Sequence, residues 1–154
     1  MTQEDKELLL KDLCARLPYK VKISIPELFT NKEQVETLNE IFKGKDGLYR
    51  VNDSGILIEY VKPYLFPLSS MTEEEAKELS ILYGIKDILS IKITDEYIDF
   101  EVDDGFCSIE TKTIWYNEII SSIETFDWLN KNHFDYRGLI PMGLAINATG
   151  LNIY

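Results

Sequence analysis

The sequence predicts an α+β fold, a single domain over residues 1–154 in which an antiparallel sheet (a hairpin plus a three-strand meander) packs with about three α-helices. Three observations predict it. Apolar residues recur at helical spacing in two separated stretches, Leu9, Leu10, Leu13, Cys14, Leu17 and then Ala76, Leu79, Leu82, Tyr83. Period-two alternation dominates residues 88–115, broken only by short turn sequences. There is no βαβ rhythm and no Gly-rich phosphate loop, which removes a doubly wound nucleotide-binding fold.

Each element has a local cause. Thr2 followed by Asp5 forms a capping pair for a helix over 2–17, and Pro18, which lacks an N–H, ends it. Val21, Ile23 and Ile25 alternate with Lys22 and Ser24 as a half-buried strand closed by Pro26. Residues 35–42 read as a second strand, partnered from Leu48 onward. The stretches 48–51 and 56–61 flank Asn52-Asp53-Ser54-Gly55, four turn formers, and so predict a hairpin. Pro63 and Pro67 then forbid helix and central strand, leaving 62–71 as an extended connection with an exposed aromatic edge at Tyr64 and Phe66. Thr72-Glu73-Glu74-Glu75 is a capping box, and Gly84 ends the helix it starts. Ile91/Ile93, Ile98/Phe100/Val102 and the strand 107–115 form an antiparallel meander. A last helix is expected over 125–132 with Thr125 as its cap, and Pro141 and Gly143 break any regular structure after residue 140.

The charge balance is acidic, 27 Asp and Glu against 16 Lys and Arg, net −11. Such a surface repels phosphate backbones and anionic lipid, so direct nucleic-acid or membrane binding is not expected. Cys14 and Cys107 stand outside any CxxC pair, and one histidine makes no cluster, so no zinc site or other cofactor is expected. Both cysteines read as small buried hydrophobes. The acidic N-terminal residues do not resemble a secretory signal, and no run of about 18 apolar residues exists. A cytoplasmic protein is expected.

The densest group of costly side chains lies in 127–140, which holds Trp128, His133, Asp135, Tyr136 and Arg137 among large apolar residues. His133 with Asp127, Asp135, Ser69 or Ser70 offers hydrolytic residue types, but no Gly-x-Ser-x-Gly elbow surrounds a serine. Arg137 needs a carboxylate, with Asp127, Asp135 or a strand acid as candidates. The acids of 95–104 lack the spacing of a calcium loop and read as a solvated sheet face.

Three stretches carry a resemblance: Lys11 to Tyr19; Lys62-Pro63-Tyr64-Leu65 through Ser69 to Glu75; and Trp128-Leu129-Asn130 through His133 to Ile140. In these the chain resembles a family of small uncharacterised proteins of Bacteroides-type gut bacteria and their phages or prophages. The resemblance implies a cytoplasmic accessory protein of a mobile element, and no activity. The pattern departs at Lys20, where the family has Gly, at Phe66, where a basic residue is expected, and at Asn132, where a second histidine is common.

The expected function is therefore non-enzymatic binding of another protein, with Tyr64, Phe66, Trp128, His133, Asp135, Tyr136 and Arg137 as candidate contact residues. Two other readings compete. One is an acidic mimic of nucleic acid that inhibits a host DNA-binding or defence protein. The other is an enzyme using His133 with a nearby carboxylate.

Overall fold

The computed structural model describes residues 1–27, 32–106 and 108–154. The α+β class holds: three α-helices accompany ten strands among the described residues. The chain folds as two units, Met1–Leu65 with Arg137–Tyr154, and Phe66–Tyr136, so the second is an insertion within the first. The buried apolar residues form two clusters, one in each unit.

In the first unit, helix α1 (Gln3–Arg16) starts where the sequence predicts. Thr2 Oγ1 accepts the Asp5 N–H at 3.1 Å, and the Asp5 carboxylate accepts the Thr2 N–H at 2.8 Å. Its buried face is Leu9, Asp12, Leu13 and Arg16. The face expected from the sequence centres on Leu13 and Cys14, yet Cys14 is exposed. The helix is rotated so that a charged pair, not the thiol, points inward. Cys107 lies outside the described residues. After α1, a 3₁₀ turn over Leu17–Tyr19 ends on Lys20 in the left-handed region at φ 59°.

Strand β1 (Lys22–Pro26) pairs antiparallel with β2 (Glu33–Thr37). The stretch read as one strand over 35–42 is thus two. Buried Leu38 ends the first, and β3 (Ile41–Lys43) joins a small antiparallel sheet with β4 (Tyr49–Val51) and β5 (Ile56–Leu57). The predicted turn holds, with Asn52 and Gly55 both at positive φ. Asn52 also reaches back, accepting the Asn39 N–H at 2.9 Å and donating to the Thr37 carbonyl at 2.9 Å.

The prolines do not exclude an interior strand. Strand β6 (Lys62–Leu65) lies between β1 and β10 (Ile146–Asn147) in the order β10-β6-β1-β2. β1 pairs with Lys62 and Pro63, whereas β10 pairs, in parallel, with Tyr64 and Leu65. Each neighbour uses a different half of β6, so the ladder interruption at Pro63 is tolerated.

In the second unit, α2 (Glu73–Leu82) begins with the predicted box, Thr72 Oγ1 accepting from the Glu75 N–H at 3.2 Å. Ala76, Leu79 and Ser80 are buried, while Leu82, expected inside, is 36% exposed. The meander is β7 (Ile88–Ile93), β8 (Tyr97–Asp103) and β9 (Ile109–Trp115), antiparallel throughout. Helix α3 (Ile123–Lys131) starts earlier than expected because Ser122, not Thr125, is the cap, its Oγ accepting the Thr125 N–H at 3.1 Å. The core of this unit joins Ile98, Phe100, Val102 and Ile114 of the sheet to Ala76, Leu79 and Leu129 of the helices.

Candidate protein-binding surface

The residues 127–136 act first as internal bonds of the second unit. Trp128 Nε1 donates to Glu78 on α2 at 3.1 Å, and the indole stacks on Phe134 with ring centroids 5.6 Å apart. Tyr136 Oη donates to Asn130 Oδ1 at 2.9 Å and meets Phe126 edge-on. Asn130 in turn donates to the Phe126 carbonyl at 2.8 Å. His133 occupies the left-handed region at φ 58°, just past α3. Its carbonyl accepts the Phe66 N–H at 2.9 Å, and the Phe66 carbonyl accepts the Asp135 N–H at 2.8 Å. The two ends of the unit are thereby tied to one another.

The expected aromatic edge at Tyr64 and Phe66 is corrected. Tyr64 is 6% exposed in β6, and its carbonyl accepts the Tyr154 hydroxyl at 2.6 Å. Phe66 is half-buried, 6.5 Å from the Phe134 ring. Strand pairing on both halves of β6 draws this segment inward. Asp135 is also buried, at 8% exposure.

Arg137 belongs to the first unit, and its Nε stands 3.2 Å from Asp12 Oδ1. Asp12 is not among the acids that the sequence suggests for it. The same carboxylate accepts from Arg16 Nε at 2.7 Å and from Arg16 Nη2 at 3.2 Å. Asp12 and Arg16 have no exposed side-chain surface. The arrangement is a carboxylate serving two guanidiniums, with planar geometry suited to bidentate contact.

What the second unit leaves to solvent is the outer side of its meander. Cross-strand register places Lys92 beside Asp99 and Asp99 beside Thr113, and Thr113 Oγ1 donates to Asp99 at 2.7 Å. Ser90 Oγ donates to Glu101 at 2.6 Å. Tyr97 and Trp115 form a cross-strand aromatic pair 4.9 Å apart, with Lys92 Nζ 5.8 Å from the Tyr97 ring centre. Trp115 is 46% exposed and Ile109, on the same face, 64%. The acids of 95–104 therefore do line a solvated sheet face, interleaved with hydroxyls. At the tip of the β8–β9 turn, bonds from Ser108 and from the Phe106 amide hold the Asp104 carboxyl below its usual range.

The lower rim of the sheet is anchored by Tyr116. Its hydroxyl donates to the carbonyls of Thr94 at 3.0 Å and Leu68 at 3.2 Å, and burial with the nearby charge of Asp95 pushes it up to about 12. Sequence alternation marks the exposed face but not the aromatic pair, since Tyr97 and Trp115 lie 18 residues apart and meet only through the register.

Among the described residues, no three His, Cys, Asp or Glu side chains converge as a metal site, and no helix is long and apolar enough to cross a membrane. Comparison of the chain with protein families, with curated proteins and with solved structures finds no match.

Proposed function

We propose that the chain is a non-enzymatic protein-binding module, of the accessory kind its sequence resemblance implies, whose contact surface is the outer face and free edge of the β7-β8-β9 sheet. The carrying observation is Trp115, 46% exposed and ring-paired with Tyr97, standing near the end of an edge strand exposed at every position except Ile114. Aromatic side chains held rigid on a sheet contribute large contact area at little entropic cost, which is why they anchor interfaces. The test is capture of partners from a lysate of the source organism. Trp115→Ala and Ile109→Asp should abolish the captured bands. His133→Gly suits the left-handed backbone there, removes the imidazole and should leave the bands intact. Capture that depends on His133 and ignores Trp115, or turnover of a small-molecule panel lost on His133→Gly, would overturn the proposal.

An acidic decoy is the second reading, favoured by Asp99, Glu101 and Asp103 at alternate positions of one outward face. It requires that captured proteins be basic and that salt release them. Capture insensitive to salt sinks it.

A further inference from the structure

The geometry points to a second copy of this chain as the occupant of the free edge of β9, paired antiparallel about Thr111 to make one continuous six-stranded sheet. This rests on the reading of the meander as the binding surface and names what its edge takes.

The two edges of the sheet differ. β7 carries a register irregularity between Ile88 and Ser90, a device that twists an edge away from further pairing. β9 pairs with β8 over all seven residues without a shift and contains no proline. Its backbone orientation is fixed by the ladder. Tyr116 N–H donates to the Glu96 carbonyl at 2.9 Å, and Asp104 N–H donates to the Ser108 carbonyl at 3.3 Å. Hydrogen-bonded and non-bonded pairs alternate along an antiparallel ladder. So Glu110, Lys112 and Ile114 turn their N–H and C=O groups toward β8, and Ile109, Thr111, Thr113 and Trp115 turn theirs outward.

Side-chain charge then selects the register. Glu110 and Lys112 sit on the core side of β9, beyond the rim of the core, and contact one another at 2.7 Å. A charge on that side of an edge strand disfavours indiscriminate pairing. Two-fold pairing of the outward groups allows only whole-residue centres. A centre at Lys112 overlaps the entire strand but sets Lys112 against Lys112 of the second copy. A centre at Glu110 sets glutamate against glutamate, and one at Thr113 sets Lys112 against Ile114 and Glu110 against Tyr116. A centre at Thr111 alone puts Glu110 opposite Lys112 of the second copy, twice. These fall at non-bonded pairs, where Cα atoms approach to about 4.5 Å and side chains interact most strongly. Thr111 faces Thr111, and Ile109 faces Thr113.

The test is sedimentation equilibrium of the full chain and its charge variants. The wild type should be a dimer. Lys112→Glu and Glu110→Lys should each weaken association roughly tenfold or more, since both cross-strand pairs become repulsive. The double variant Glu110→Lys/Lys112→Glu should restore it. Thr111→Pro should give a monomer with unchanged circular dichroism, because the N–H it removes points away from β8. A wild type that stays monomeric at millimolar concentration, a dimer indifferent to Thr111→Pro, or a double swap no tighter than the singles overturns the inference. A monomer that still captures partners through Trp115 overturns the self-pairing alone, whereas a dimer that captures nothing counts against the heterologous binding reading alone.

Discussion

Asp12–Arg16 and Asp46–Arg50 are the same motif by spacing, an aspartate four residues before an arginine, and both make two-pronged contacts. Asp12 and Arg16 are fully buried, on a helix face shared with Leu9 and Leu13. Asp46 and Arg50 brace a surface turn, with side chains 47% and 24% exposed. The difference teaches that a charge pair's weight is set by what surrounds it. Water screens the turn pair and can replace it. Nothing replaces Asp12, whose carboxylate also faces Arg137.

The largest expected effect breaks the buried side of that comparison. Asp12→Ala should cost ~3–5 kcal/mol in urea unfolding, because two guanidiniums lose a shared counter-charge they cannot trade for water. The double replacement Asp12→Leu/Arg16→Met should cost clearly less than Asp12→Ala, since apolar residues of similar volume remove the desolvation penalty along with the attraction. A double variant as unstable as the single would mean that Arg16 supports the fold by more than pairing with Asp12.

The next effect separates the two regions by pH. Tyr154 is 46% exposed overall, but its hydroxyl end is held between the Tyr64 carbonyl and the Lys22 N–H. Burial pushes it up to about 12, against smaller downward pulls from the Lys22 amide and Arg16. A phenol with a raised folded value keeps its proton while the unfolded chain loses it. Stability should therefore fall as pH rises from about 10 through about 12, and Tyr154→Phe and Tyr116→Phe should flatten that fall. Asp46 titrates at the other end. Its bonds from Arg50 and from the Leu48 N–H hold its carboxyl well below the usual range, so its contribution is present above pH 3.8 and is lost as pH falls below that. Asp46→Ala should make only a small change in the urea midpoint, vanishing in high salt.

A smaller gain is expected at Lys20. Its φ of 59° is the conformation that costs an L side chain about 1 kcal/mol and costs glycine nothing. The resemblance places Gly at this position, and the structure supplies a physical reason for one. Lys20→Gly should raise the urea midpoint slightly, offset in part by the lost contact from Lys20 Nζ to Asn39.

Local chemistry was legible in the sequence wherever cause and effect lie within a few residues. The boxes at Thr2 and Thr72, the turn at Asn52 to Gly55, and the alternation of β7 and β8 all depend on side chains reaching their own backbone or on a fixed period of two. The exposed acidic face of β8 came from the same period. Much less of the candidate surface was legible, because Trp115 meets Tyr97 only across a register, and the openness of β9 depends on no further strand arriving.

Tertiary structure alone decided which way α1 turns, since Leu9 and Leu13 are compatible with either Cys14 or the pair Asp12–Arg16 beside them. It also decided that β6 is interior, by supplying β10 from the far end of the chain, and that Tyr64 is buried. The physical reason is common to these cases. Burial and edge pairing are properties of what arrives from elsewhere, and no local pattern contains the residue that comes to cover it.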